Sequence, residues 1–293
     1  MDMWSDISET ISQTTGEAVC VEQKSSVCGG CINSAYRISG AGQEYFVKLN
    51  TDDQLEMFIA EAEGLQEIAK VNAIHVPEPV CYGVSSGQAY LVMEVFTMGG
   101  SKARAMPLFG EKLAAMHQYT KAQFGWHRDN TIGSTPQPND WDSDWLNFWR
   151  DKRLGFQLTL AKRHGASNSL LNKGERLTAD ISAFFSSYQP QASLLHGDLW
   201  SGNYSITAEG EPVIFDPAVY FGDREADIAM TELFGGFGED FYSAYNNAWP
   251  LDEGYKVRKT FYNLYHILNH FNLFGGGYAS QAENMIDRLL SEI

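Results

Sequence analysis

Hydrophobic and polar positions change their period along this chain. Between residues 52 and 70, Leu55, Phe58, Ile59, Ala62, Leu65 and Ile68 recur at steps of three and four, the spacing of one helix face. Tyr45-Phe46-Val47-Lys48-Leu49 reads as a compact strand after a Gly40-Ala41-Gly42 turn. Residues 18–24 and 35–37 are short runs, partly β-branched or aromatic, around Gly29-Gly30. Val76-Pro-Glu-Pro ends any helix, because proline lacks the N–H that a helix interior needs. Tyr90 to Val95 reads as a buried strand, and Gly99-Gly100-Ser101 as a natural hinge.

Beyond that hinge the spacing predicts helices over 108–120, 145–163 and 177–188. Residues 125–144 are rich in Pro, Asn, Asp and Gly and read as an ordered loop. Trp126, Trp141 and Trp145 imply that the loop packs. A short strand is expected at 193–195, and the stretch 241–293 as helix broken at Gly275-Gly276-Gly277. The resulting sketch is an α+β chain with a small β-rich lobe over 1–95, a hinge at 96–102 and a larger, mainly helical lobe over 103–293.

Composition narrows the partners. The 293 residues suit two domains or one two-lobed domain. With 21 Lys+Arg against 37 Asp+Glu the formal charge is −16, which repels phosphate backbones and excludes a general nucleic-acid or anionic-membrane binder. Cationic or neutral substrates fit this balance. No apolar run approaches the ~20 residues of a membrane helix. The acidic N-terminal stretch (Asp2, Asp6, Glu9) has no apolar signal core, so a cytoplasmic protein is expected. Cys20, Cys28, Cys31 and Cys81 are too few for a secreted disulfide scaffold.

The sharpest chemical signal is His196-Gly197-Asp198-Leu199-Trp200-Ser201-Gly202-Asn203. Two short strands follow, joined by a turn at Ala208-Glu209-Gly210, and Asp216 comes directly after the second. A hairpin there brings Asn203 and Asp216 together at its open end. Phosphoryl transfer from ATP needs such a set: one carboxylate takes the proton of the attacking hydroxyl, while an amide oxygen and a second carboxylate hold Mg²⁺ on the phosphates. D-x-x-x-x-N followed by a later Asp is the catalytic pattern of the protein-kinase fold. It makes Asp198 the base and Asn203 and Asp216 the metal ligands. Lys48 sits on a strand after a Gly-containing segment, as a phosphate-binding lysine should, although an edge-strand lysine has the same pattern. Glu61 on the following helix could pair with it; Glu56, Glu63 and Glu67 compete for that role. Met93-Glu94-Val95 suits the strand-to-hinge segment where adenine meets backbone.

On these residues the chain resembles the fructosamine kinase (ketosamine-3-kinase) family, within the superfamily of aminoglycoside and choline kinases. His-Gly-Asp in place of His-Arg-Asp, and Asp216-Pro217 in place of Asp-Phe-Gly, point away from protein kinases. The stretches that carry the resemblance are 29–33, 125–139, 144–157, 196–203, 216–237 and 261–278. It implies a bilobal protein-kinase-like fold and transfer of the ATP γ-phosphate to the 3-hydroxyl of a sugar joined to an amine. By motif, Asp198 is the base, Asn203 and Asp216 bind Mg²⁺, Lys48 contacts phosphates and Glu61 anchors Lys48. Trp200, beside the base, either stacks on the substrate or simply packs. Asp223, Glu225 and Asp227 follow the metal Asp; one of them is a candidate contact for the substrate amine, with pairing to Arg224 or a structural cap as the alternative. The partners implied are small ketosamines or glycated proteins, met by a monomer or homodimer. Other readings are a kinase for another amine-bearing substrate, such as an aminoglycoside or choline, and a non-catalytic binding protein of the same fold.

Cys28-Gly29-Gly30-Cys31 lies in the loop expected over the ATP phosphates, so Gly29 and Gly30 are candidate nucleotide contacts and the two thiols a candidate redox control of access. That loop lacks a full G-x-G-x-x-G, which shifts the grip on nucleotide to Lys48 and Mg²⁺. His196 is expected to bond backbone beside the catalytic loop. His266 and His270, at i and i+4 without a third ligand nearby, are expected to be core or surface histidines rather than a metal pair.

Overall fold

The computed structural model describes residues 2–27 and 33–293. The expected contacts at Gly29 and Gly30 and the Cys28–Cys31 pair fall outside the described residues.

An antiparallel sheet opens the fold, formed by β1 (Gln23–Val27), β2 (Ser34–Gly40), β3 (Gln43–Thr51), β4 (Pro79–Ser85) and β5 (Gln88–Glu94) in the order β1-β2-β3-β5-β4. The β2–β3 turn puts Ala41 and Gly42 at positive φ (53° and 81°), as a two-residue hairpin turn requires. Helix α1 (Met3–Thr15) covers one face of this sheet and α2 (Leu55–Val71) lies on the other. Alternation along each strand sorts the side chains. Tyr90 and Val92 of β5 join Ile7 and Ile11 of α1, whereas Ala89, Leu91 and Met93 join Phe58, Leu65 and Ile68 of α2. A strand covered on both faces has no solvent side, hence the unbroken apolar run. Helix α1 was not anticipated. Its short apolar stripe has meaning only once a sheet face exists for it to cover.

Helix α3 (Lys102–His117) follows, then the short strand β6 (Thr120–Lys121). The loop over 125–144 is ordered and holds a small hairpin, β7 (Asn130–Ile132) with β8 (Thr135–Gln137). Trp126 and Trp145 are buried, while Trp141 stays partly exposed against Lys121 and Phe221. Arg153 pins this loop. It lies in a single π-helical stretch, 149–154, between α4 (Trp145–Phe148) and α5 (Gly155–Arg163). Its guanidinium donates to the Pro138 carbonyl and to Asn139 Oδ1 and sits 4.1 Å from the Tyr220 ring centre.

The helix expected over 177–188 is displaced. Ser167 caps α6 (Asn168–Ala179) by accepting the Leu170 N–H, the helix stops at Asp180, and only a 3₁₀ turn spans Ile181–Phe185. Leu170 and Leu177 bury one stripe, and Gly174 lets Leu158 approach closely, so the apolar face begins before the window that the sequence suggested.

Strand β9 (Ala192–Leu195) lies between β12 (Tyr220–Gly222) and β6. β10 (Tyr204–Ile206) and β11 (Pro212–Ile214) form a separate hairpin. Helices α7 (Glu225–Leu233), α8 (Glu239–Ala248), α9 (Tyr255–Phe274) and α10 (Tyr278–Leu290) complete the chain. The architecture is α+β and kinase-like. The buried face of α2 belongs to the same core as α3, α7 and α9, so the sheet and the helical part meet through packed side chains. Among the described residues no helix is long and apolar enough to cross a membrane.

Candidate active site

Strands β9 and β11 each run directly into a loop that carries functional groups, 196–203 and 215–218. Hydrogen bonds lace the two loops together. The His196 carbonyl accepts the Ala218 N–H at 2.8 Å, and the Asn203 carbonyl accepts the Phe215 N–H at 3.0 Å. The His196 ring donates from Nε2 to the Phe215 carbonyl (3.0 Å) and accepts the Asp198 N–H at Nδ1 (3.2 Å). Those bonds need a neutral ring, and burial pushes its pKa below the ordinary value. Gly197 has φ +84°, and a Cβ there would meet the Ala218 carbonyl oxygen at 2.0 Å.

Below this loop lies Asp227, in the first turn of α7. Its carboxylate accepts the backbone N–H groups of His196 (2.7 Å) and Gly197 (2.8 Å) and bonds His117 Nε2 (3.1 Å), whose other nitrogen meets Tyr245 OH. Burial pushes the Asp227 carboxyl up, but these donors together hold it below its usual value. Of the readings the sequence left open for Asp227, contact with the substrate amine, pairing with Arg224 or a structural cap, its bonds are those of a cap, made to a distant loop rather than to its own helix. Nothing in its spacing announces the backbone groups that it receives.

Asp198, Asn203, Asp216, Lys48 and Glu61 all line one cavity of about 840 Å³. Asn203 Nδ2 donates to the Asp198 carbonyl (2.8 Å) and carboxylate (3.1 Å), which turns the amide oxygen away from Asp198. Lys48 Nζ lies 2.6 Å from Glu61 and 2.5 Å from Asp216 Oδ1. Burial alone would lower the lysine pKa; the two carboxylates outweigh it and keep the ammonium charged. Burial, then the charge on Asp216, raises Asp198 to about 7, with Asn203 opposing. Asp216 takes a left-handed backbone (φ +58°), unusual for a residue with a Cβ and of the kind that gathers at functional sites.

The donor set fits a hard dication. One carboxylate and one amide oxygen at a phosphate-sized cavity suit Mg²⁺, which keeps waters and substrate oxygens and needs few protein ligands. No group of three His, Cys, Asp or Glu arranged for a metal exists among the described residues.

Met93, Glu94 and Val95 line the same cavity, between apolar Ala60 and Phe215. The Glu94 N–H is used by the Glu78 carbonyl (2.9 Å), and its carboxylate accepts the Glu78 N–H, so its N–H is not free to meet a base. Trp200 is partly exposed at the cavity and meets Phe234 edge to face. Asp223 and Glu225 do not reach the cavity. Both are fully buried. Asp223 accepts from Tyr188 OH and Tyr262 OH, and Glu225 holds Arg258 with both oxygens at 2.7 and 2.9 Å. That placement corrects the substrate role and the pairing with Arg224, while the structural-cap alternative describes Asp223, whose Oδ1 accepts the Glu225 N–H at 3.0 Å at the start of α7. Arg224 instead donates to the Trp249 and Pro250 carbonyls. Cys81 is buried, with its thiol pushed up to about 12, and so is inert.

The geometry can now be set beside known proteins. A family model described as fructosamine kinase matches residues 3–292. A Synechocystis sp. protein named probable ketoamine kinase is 49% identical over 292 residues, 98% of this chain and 97% of that one. An Arabidopsis thaliana protein named protein-ribulosamine 3-kinase, chloroplastic, is 44% identical over 280 residues, 94% of this chain and 85% of its own. The crystal structure of a candidate fructosamine-3-kinase from Haemophilus somnus superposes with a TM-score of 0.90 at 34% identity, covering 98% of each chain.

Proposed function

Because the chain belongs to the fructosamine kinase family, we propose that it transfers the γ-phosphoryl group of ATP to the 3-hydroxyl of a ketosamine, free or protein-bound. It is a phosphotransferase with an alcohol acceptor. The observation that supports this most is the convergence of Asp198, Asn203, Asp216 and the Lys48–Glu61 pair on one cavity.

The roles follow from position. Asp198, near pKa 7 and beside the cavity, accepts the proton of the attacking hydroxyl. The Asn203 oxygen and the Asp216 carboxylate would hold Mg²⁺, which when bound would supply positive charge to the phosphates. Lys48 meets phosphate oxygens, and Glu61 keeps its ammonium in place. The segment 93–95 borders the base, and Trp200 offers an aromatic face to the acceptor. We assign residues 1–95 to nucleotide binding, 96–102 to the hinge and 103–293 to catalysis and acceptor binding. Phosphoryl transfer asks mainly for positioning and charge stabilisation, which these groups provide.

The product explains the use of the reaction. A ketosamine has nitrogen on C1 and a carbonyl at C2, and its enaminol form expels a group from C3. Phosphate leaves far more readily than hydroxide, so elimination leaves an imine that water hydrolyses, freeing the amine and a deoxy-dicarbonyl sugar. The test is ADP release with Mg-ATP on a ribulose-lysine, a fructose-lysine, an aminoglycoside and choline, side by side. Turnover confined to the two ketosamines supports the reading; turnover on the aminoglycoside or choline alone overturns it.

A further inference from the structure

Hairpin β7–β8 and helix α9 together form one wall of the cavity, tied where Asn269 Nδ2 donates to the Ile132 carbonyl. Three buried polar side chains face the cavity from this wall: Asn130, His266 and Asn269. Two are already satisfied. Asn130 donates to the Val219 carbonyl and accepts from Gln137 and Asn139. Asn269 also accepts from Gln157 Nε2.

His266 is different. It is 4% exposed, yet neither ring nitrogen has a hydrogen-bond partner among the described residues. The other six histidines each have one or an ion-pair contact: His75 with Glu211, His117 with Tyr245 and Asp227, His127 with Glu63, His164 with Asn272, His196 with Phe215, and His270 with the His266 carbonyl. Nor is the ring sealed in protein. The fully enclosed orphan atoms are others, such as Trp126 Nε1 and Asn263 Oδ1. A buried imidazole without a partner, open only to a cavity, is a hydrogen-bonding group awaiting a ligand.

The chemistry of that ligand is restricted. Burial, reinforced by His270, lowers His266 to about 3, so the ring is uncharged at neutral pH. A neutral imidazole presents one donor and one acceptor, and a hydroxyl can pair with either. It attracts neither a phosphate nor an ammonium by charge. The aromatic faces of Trp200, Phe234 and Phe274 lie on the same cavity and suit the C–H face of a sugar or the carbon chain of the amine.

We propose that His266 is a positioning residue for the acceptor sugar: it hydrogen-bonds a hydroxyl other than the one phosphorylated, and so decides which carbon is presented to Asp198. This rests on the ketosamine kinase reading above. His266→Phe removes both hydrogen-bonding atoms at similar volume; His266→Gln keeps a donor and an acceptor. We would measure kcat and KM for fructose-lysine and for its 4-, 5- and 6-deoxy analogues, KM for ATP, and fructose-lysine binding without ATP by calorimetry. The expected result is a tenfold or greater rise in KM and Kd for fructose-lysine in His266→Phe, unchanged KM for ATP, and substantial recovery in His266→Gln. One deoxy analogue should bind wild type and His266→Phe equally, which a purely packing role would not produce. Should His266→Phe not fold, His266→Leu, which also lacks both hydrogen-bonding atoms, carries the same comparison against wild type in the deoxy series. Wild-type turnover of fructose-lysine with the same KM in His266→Phe, or an equal penalty for every deoxy analogue, overturns the assignment of His266. No ketosamine turnover by the wild type overturns the reading beneath it.

Discussion

Asp227 receives the Gly197 backbone N–H at 2.8 Å, fixing a loop thirty residues earlier in the chain from the first turn of α7. The bond makes the shape of the 196–203 loop depend on a carboxylate that does not line the cavity. Replacing Asp227 with Asn leaves a single acceptor for two backbone donors. We expect Asp227→Asn to cost about 1–3 kcal/mol of stability, the size of one buried unsatisfied donor. It should lower kcat at least tenfold with little change in KM for ATP. Urea midpoints and steady-state kinetics check both; a destabilised variant with wild-type kcat would show that the loop holds its shape without this bond.

Asp198→Asn separates chemistry from binding. Turnover should fall by at least about 10³-fold, within the range of general-base loss with its associated positioning, while Mg-ATP affinity stays within about threefold. Stability should move the other way. In the fold Asp198 titrates near 7 against an ordinary value near 3.8, so its ionisation opposes folding increasingly as pH rises across that window. Without nucleotide or metal, the Asn variant should therefore melt roughly 2–4 °C higher than wild type at pH 8. At pH 5 the difference should be smaller. A variant equally or less stable at pH 8 contradicts the raised carboxyl.

Trp200 can be displaced without being replaced. A Cβ on Gly202 would lie 2.2 Å from the Trp200 ring, so Gly202→Ala must push the indole aside. If the ring stacks on the acceptor, KM for a ketosamine should rise about fivefold or more and KM for ATP should hold, in line with the ~1 kcal/mol of an aromatic contact. A shift in both KM values would mean that the loop, rather than the ring, has moved.

Much of the site was legible because its signal is local. The D-x-x-x-x-N spacing and the hairpin that returns Asp216 lie within twenty residues of sequence, and the structure draws these groups together. Glu61 was harder: four glutamates share that helix. Position around the helix decides among them, since Glu56 and Glu63 turn to Arg128, Glu67 to Lys70 and Lys121, and Glu61 alone of the four meets Lys48. Asp223 and Glu225 misled for the converse reason. Charged residues beside a metal ligand resemble substrate contacts until Arg258, thirty-three residues beyond Glu225, is seen to neutralise it inside the core. Hairpin β7–β8 was read only as ordered loop, because its three-residue strands depend on Arg153 and on the asparagine and glutamine contacts that the fold brings to it.

His117 supplies the last prediction. Burial pushes its imidazole below the ordinary 6.5, with Asp227 partly opposing. The folded protein therefore holds a neutral ring where the unfolded chain takes up a proton. The unfolded state binds more protons below pH 6.5, so stability from this group is full above that pH and is lost as pH falls toward the folded value. Between pH 7.5 and 5.5 the loss is at most about 1.4 kcal/mol, one pH unit below the unfolded pKa. His196 and His266 add slopes of the same sign, while the raised Asp198 and Glu225 add slopes of the opposite sign, so the wild-type profile alone cannot isolate one group. The difference between proteins can. His117→Gln loses the bonds to Tyr245 and Asp227 at every pH but carries no proton to take up. Its destabilisation relative to wild type should therefore be about 1 kcal/mol smaller at pH 5.5 than at 7.5, read from urea midpoints with matched m-values. Equal destabilisation at both pH values would mean that His117 titrates alike folded and unfolded, and a greater destabilisation at pH 5.5 would mean that the Asp227 cluster holds a charged ring.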